Sequence, residues 1–319
     1  MPIVLYALVV SVALHPEHGT VLQATHACGE AKQPDGTGAD MEECARNYTA
    51  AFVLALAAHP MSHAHVLAQE AAHERARATC ASGETLYQDN GAWCVEGGSP
   101  VLQNRTSVLT PLSSDVPYEQ SVDHVPAAQA ILNTLRVVLD KGDGSFYSLN
   151  DLGAGIGQLG HTLLGAMPQL DYRGFDGAGN VREFTNGFVE YRDLTMPGAI
   201  PPADWAVSSE VGEHIPHADE AQFVANLHAA NCRGIVLTWA VPSQWGRSHI
   251  NVHSQEYIRS LFLELGYTIN EEATSVLRAL DGPCMAAHEA THGMECSWWL
   301  SLDSTVFERA KPSLAPGCV

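Results

Sequence analysis

The chain has 319 residues, enough for one large α/β domain with an N-terminal extension. Its 46% apolar content suits a globular core, and no run approaches the ~18–20 consecutive apolar residues of a membrane-spanning helix. Sixteen Lys and Arg against 36 Asp and Glu give a formal charge of −20; with no basic cluster to neutralise phosphates, this argues against a long nucleic-acid partner but not against a charged small molecule.

The apolar run Ile3 to Leu14 has the length of a signal-peptide core but no basic residue before it. A buried strand or helix would read the same way. Eight cysteines, four through Cys94 and four from Cys232, accompany two acceptor sequons, at Asn47 and Asn104. Together with the apolar start they tilt the reading toward the secretory route.

Residues 15–37 read as irregular, and Met41 to Thr79 as two helices broken at His59-Pro60. That hairpin would bring Cys44 near Cys80 and leave Cys28 and Cys94 as a second pair, although sequence does not fix connectivity. His59, His63, His65 and His73 lack a completing carboxylate or cysteine and read as solvated. Residues 81–120 read as loop with at most one hairpin. The expected organisation is therefore a candidate signal peptide over 1–20, a helical and irregular cap over 21–120, and a catalytic domain over 121–312.

Within that domain a helix is expected over Ala127 to Leu139, stopped at Lys141-Gly142-Asp143-Gly144. Strands follow at Phe146 to Leu152, Tyr172 to Phe175, Phe188 to Arg192, Trp205 to Ser208 and Gly234 to Ala240. Helices alternate with them at Gln158 to Met167, Val181 to Asn186, Ala218 to Asn231 and Ser254 to Leu265. Two extended runs, Thr274 to Leu280 and Ser297 to Phe307, then predict a closing antiparallel pair. The pattern is that of an α/β fold, a doubly wound and mostly parallel sheet.

The turn after the first strand, Asp151-Leu152-Gly153-Ala154-Gly155-Ile156-Gly157, lets the backbone approach a ligand at the carboxyl end of the sheet. Gly155-x-Gly157-x-x-Gly160 alone would also fit a nicotinamide dinucleotide. Asp176-Gly177 ends the second strand, where a carboxylate can take both hydroxyls of a ribose. Asp193-Leu194 ends the third, where an acid could accept an adenine amino group. Helix capping is the alternative use of both acids, and the cofactor reading is preferred to it. With these residues the chain resembles the class I S-adenosylmethionine-dependent methyltransferases over about residues 126–310. The resemblance implies a seven-stranded Rossmann-like sheet, with the cofactor held by Asp151, Gly153, Gly155, Gly157, Asp176, Gly177, Asp193, Leu194 and Ser209.

The fourth strand runs into Ser209-Glu210-Val211-Gly212-Glu213-His214. This Glu-x-x-Glu-His pattern is similar to that of quinone-biosynthesis O-methyltransferases and small-RNA terminal 2′-O-methyltransferases. That similarity implies Mg2+ or another divalent cation on Glu210, Glu213 and His214, with His249 or His253 as a fourth ligand. One helical turn would place the first three on a common face, and a cation there could activate an acceptor hydroxyl. Without a metal, His214 or His249 could serve as a general base, and a Glu-His pair could simply shape the pocket.

Trp239, Pro242, Gln244 and Trp245 read as pocket wall or, for Trp239, as core. Cys284 and Cys296 bracket His288 and His292 and read as a disulfide closing an insertion. The expected function is methyl transfer to an oxygen of a small molecule. A secreted binding protein with an inactive fold and an NAD-dependent oxidoreductase are the rivals.

Overall fold

The computed structural model describes residues 49–57, 62–82, 93–95, 125–198, 200–244, 246, 248–279, 300–311, 313 and 318. The apolar start, Asn47, Asn104, His59, Trp245, Cys28, Cys44, Cys284, Cys296, His288 and His292 lie outside the described residues.

Two helices flank the His59-Pro60 break: α1 over 49–57 and α2 over His63–Ala81. Ser62 caps α2 with a reciprocal pair of bonds, its side chain accepting from His65 N while His65 Nδ1 accepts from Ser62 N. Then follow α3 (Val125–Leu139), β1 (Leu149–Leu152), α4 (Gln158–Ala166), β2 (Tyr172–Asp176), α5 (Val181–Phe184), β3 (Val189–Tyr191) and β4 (Ala203–Ser208). The chain continues through α6 (Glu220–Ala229), β5 (Asn231–Thr238), α7 (Gln255–Glu264), β6 (Tyr267–Ile269), α8 (Glu271–Arg278), α9 (Leu300–Asp303) and β7 (Ser304–Arg309). None of the described helices is long and apolar enough to cross a membrane.

The seven strands form one sheet in the order β3-β2-β1-β4-β5-β7-β6. All neighbours through β5 run parallel, whereas β7 lies antiparallel between β5 and β6. This is the doubly wound, seven-stranded sheet that the resemblance implies, and it differs from the dinucleotide order 3-2-1-4-5-6 by the inserted last strand.

Alternation along the strands divides the core. Ala206, Ile235, Leu237 and Phe307 face one layer with Phe223, Leu227, Ile258 and Phe262 of α6 and α7. Trp205, Val207, Val236 and Val306 face the other, with Leu135, Leu163 and Leu277 of α3, α4 and α8. Each fully buried side chain of this size stabilises by about 1.5–3 kcal/mol. A third cluster joins Ala72 of α2 and Val95 to Ile156, Val189 and Tyr191, so α2 covers the edge strand β3.

Four expectations are corrected. Residues 274–278 are helical, because Asn270 caps α8 through its side chain and Glu271 and Glu272 fill the first turn. The sixth strand is instead Tyr267–Ile269, and the last begins at Ser304 after a short helix. Phe146 is not part of β1; it makes one isolated bridge to Asp140. Cys80 pairs with Cys94 rather than with Cys44, which replaces both expected N-terminal pairings, and Cys232 pairs with Cys318. The fold carries Cys80, at the end of α2, to within disulfide reach of segment 93–95, a closeness that hairpin geometry alone did not reveal.

Candidate functional site

Gly153, Gly155 and Gly157 all adopt positive φ (87°, 55° and 86°), so the turn after β1 requires glycine. A Cβ at Gly153 would overlap Val211, so the turn and the segment after β4 are in direct contact. Asp151 is buried, and its Oδ2 accepts from the Tyr172 hydroxyl at 2.7 Å.

Asp176 is buried at the end of β2. Its Oδ2 accepts from Gly155 N at 2.8 Å, and its Oδ1 accepts from Ala178 N at 2.8 Å and from the Trp93 indole N–H at 3.0 Å. Burial pushes this carboxyl up to about 6 against those three donors. Trp93 was not anticipated. It is held by Gly179 N on its carbonyl, by the Cys80–Cys94 disulfide and by the mutual bonds of Val95 with Asn180. A ribose seated on Asp176 would share Oδ1 with the indole.

Asp193 Oδ1 accepts from Thr195 N and Thr195 Oγ1, a local turn bond of the capping kind. Gln69 of α2 brackets the Asp193 backbone, accepting from its N–H and donating to its carbonyl. Leu194 packs into the core, and Gly177 lies beside the Arg192 carbonyl. Ser209 Oγ accepts from Thr238, whose hydroxyl oxygen in turn accepts from Glu210 N.

Beyond β4 the expected helical turn is instead a 3-10 turn over Gly212–His214, with Glu210 in the left-handed region at φ 54°. This corrects the common-face arrangement. Glu213, His214 and His249 bring one ligand atom each within 4.8 Å of one another, whereas Glu210 is not of that group. Glu210 Oε2 instead accepts from Gln244 Nε2 at 2.5 Å. His214 Nδ1 lies 3.1 Å from the Ser248 carbonyl and His249 Nδ1 3.1 Å from the Gln244 carbonyl. Since a carbonyl only accepts, both rings donate from Nδ1, which leaves Nε2 as the atom each can offer to a ligand. Burial first, then the neighbouring His249, pushes His214 down to about 4.

Asp303, the last residue of α9 just before β7, is a member of this site that sequence reasoning missed. Burial, then the Glu210 charge, push both Glu213 and Asp303 well above the usual carboxyl range. Both oxygens of Glu213, both of Asp303, Glu210 Oε1 and Gln244 Oε1 are buried without a hydrogen-bond partner. Buried carboxyl oxygens without partners are costly unless a proton or a cation compensates them. This donor set fits a divalent cation: carboxylate and amide oxygens beside two imidazoles.

His253 does not join that group. With His217 and Glu220 it forms a second one, again within 4.8 Å. Trp239 is core, its Nε1 donating to the Asn251 carbonyl at 2.7 Å. His63 is exposed, while His73 stacks on Tyr191 at 4.4 Å. A polar cleft of about 570 Å³ lined by Glu70, His73, Glu74, Arg77, Arg182 and Glu183 shares no residue with either ligand group.

No protein-family model matches the chain, and no curated protein matches it in sequence. Solved structures do match. The chain is similar to a magnesium protoporphyrin IX methyltransferase of Synechocystis, at 15% identity over 61% of this chain and 89% of that one, with a TM-score of 0.42. It is also similar to the O-methyltransferase of a trans-AT PKS multienzyme of Brevibacillus brevis, at 14% identity over 56% and 70%, with a TM-score of 0.37. A phosphoethanolamine N-methyltransferase of Haemonchus contortus overlaps at 14% identity over 52% and 49%, with a TM-score of 0.32. Overlaps of that size leave the sheet order and the side chains themselves to carry a functional conclusion.

Proposed function

We propose that this chain is an S-adenosylmethionine-dependent methyltransferase that transfers a methyl group to an oxygen of a small molecule, with a divalent cation assisting. The observation that carries the proposal is the packing of Val211 on Gly153. It sets the glycine turn and Asp176 on one side of a contact and the Glu213, His214 and His249 group on the other. The sheet order, with its antiparallel β7, supports the methyltransferase reading over the NAD-dependent one.

In this reading the turn from Gly153 to Gly157 lets the backbone approach the cofactor, and Asp151 orients that turn. Asp176 accepts from the ribose hydroxyls, with Gly177, Asp193, Leu194 and Ser209 completing the pocket. S-adenosylmethionine supplies a sulfonium-bound methyl group, and a cation at Glu213, His214 and His249 would lower the pKa of an acceptor hydroxyl. His214, neutral at pH 7, offers a lone pair and holds rather than takes a proton. Glu210, Asp303 and Gln244 add oxygen donors near Glu213 and draw positive charge to the site. The remaining contribution of the chain is orientation of the two reactants.

One contact favours a second reading, a secreted binding protein whose cofactor site stays closed: the Trp93 indole already occupies Asp176. Thermal unfolding with S-adenosylhomocysteine, with NAD, and with each plus Mg2+ separates these readings. A ligand at 100 times its Kd stabilises by about 2.7 kcal/mol. The methyltransferase reading expects a shift with S-adenosylhomocysteine and a further Mg2+ shift that Glu213→Ala removes. Folded protein that responds to neither ligand would leave the binding-protein reading.

A further inference from the structure

A second ligand group lies outside the site described above. His217 opens the short turn over His217–Asp219 that leads into α6, Glu220 opens that helix, and His253 follows β5. His253 Nε2 lies 2.7 Å from Glu220 Oε2, and His217 Nδ1 lies 3.9 Å from the same oxygen. Ligands on a tetrahedral zinc with bonds of 2.0–2.2 Å stand about 3.3 Å apart, between those two values. The His217 side chain is 55% exposed while that of Glu220 is 5% exposed, so the group opens to water on one side only.

The surroundings fix these ligands as second contacts do in metal sites. The other carboxylate oxygen, Glu220 Oε1, accepts from the Tyr257 hydroxyl at 2.6 Å, and Asn251 Nδ2 donates to Oε2 at 3.2 Å. The His253 ring stacks on Tyr257 at 4.1 Å and meets Trp239 edge-on at 5.7 Å. His253 N donates to the Ala240 carbonyl at 3.1 Å, which ties the ligand's backbone to the end of β5. Ile250 N and Asn251 N both donate to the Glu213 carbonyl. The segment 248–253 therefore sends His249 to one group and His253 to the other.

We propose that His217, Glu220 and His253 form a zinc site, with water in the fourth position, that pins the segment carrying His249. Two imidazoles and one carboxylate suit this borderline cation. Zinc binding displaces the proton between His253 Nε2 and Glu220 Oε2, and that proton leaves to solvent.

The test titrates the untagged full chain with zinc chloride against a chromophoric chelator, and with cobalt(II) by visible absorption. A background of Glu213→Gln with His249→Ala removes the other group. That background should retain a zinc equivalent whose cobalt form shows tetrahedral absorption. His217→Ala should weaken it at least about tenfold, and His253→Ala should abolish it. His217 is exposed, so its removal should leave the zinc-free Tm within about 2 °C. Unchanged zinc affinity in His217→Ala, or octahedral cobalt absorption, would overturn the proposal. Because the readout is metal uptake in a background lacking the first group, failure here is independent of failure of the methyltransferase reading.

Discussion

At the scale of single residues, two acids dominate the chemistry because burial strips them of water. Asp176 titrates near 3.8 when the chain is unfolded and near 6 in the fold. The fold therefore favours the protonated form. That contribution is complete below pH 3.8 and is lost as pH rises through about 6, a change of about 3 kcal/mol. Urea unfolding of the ligand-free protein at pH 4.5 and pH 7.5, beside Asp176→Asn, reads it directly. The wild type should lose stability relative to the variant as pH rises, and parallel profiles would refute the assignment. Asp303 has the same character without any backbone donor to its oxygens. In the presence of a chelator, Asp303→Asn should raise stability at pH 8 by about 1–3 kcal/mol and shrink the Tm gain on adding Mg2+. Neither behaviour is written locally in the sequence. An acid beside Leu302 and Ser304 carries no motif, and only the insertion of β7 next to β5 delivers Asp303 to Glu210.

At the scale of elements, the parallel half of the sheet was legible because its strands are short apolar runs and its helices carry a 3.6-residue period. Phe175, Ala206 and Leu237 lie within the expected strands and pack into one core layer. The misreading of 274–278 has a physical cause: Thr274 and Val276 are β-branched, and the helix spans only two turns. The better signal was the cap, Asn270 followed by two acids. The cap region was legible as two helices, but its docking was not, because Gln69 and Trp93 reach partners more than 80 residues away. The Cys80–Cys94 disulfide closes a separation of 14 residues, which stabilises by about 3 kcal/mol. Replacing both by Ala should speed amide exchange in α2 and free Trp93 from Asp176. A hydrogen bond to a charged group contributes about 1.5–3 kcal/mol, so S-adenosylhomocysteine should then bind about tenfold tighter by calorimetry. Unchanged affinity would mean that the indole and the ribose do not compete.

At the scale of the whole molecule, a formal charge of −20 spread over 319 residues repels itself. Raising NaCl from 20 to 200 mM shortens the screening length to under about 10 Å, and the Tm should rise; a falling Tm would instead point to ion pairs as the dominant surface force. Composition, charge, the order of alternating elements through β5 and the choice of Asp151, Asp176, Glu213 and His214 as candidates were all legible in the sequence alone. Each is a local property: residue type, period and spacing along the chain. Which histidine meets which carboxylate was decided only by tertiary structure. His249 and His253 are four residues apart and look interchangeable in sequence. Yet the backbone bonds of residues 250 and 251 to the Glu213 carbonyl turn one ring toward Glu213 and leave the other on Glu220. The same holds for Glu210, which a left-handed backbone turns away from the helical face that spacing predicted, toward Gln244 and Asp303. Hydrogen bonds across the sheet ends set those directions, and no spacing rule along the chain contains them.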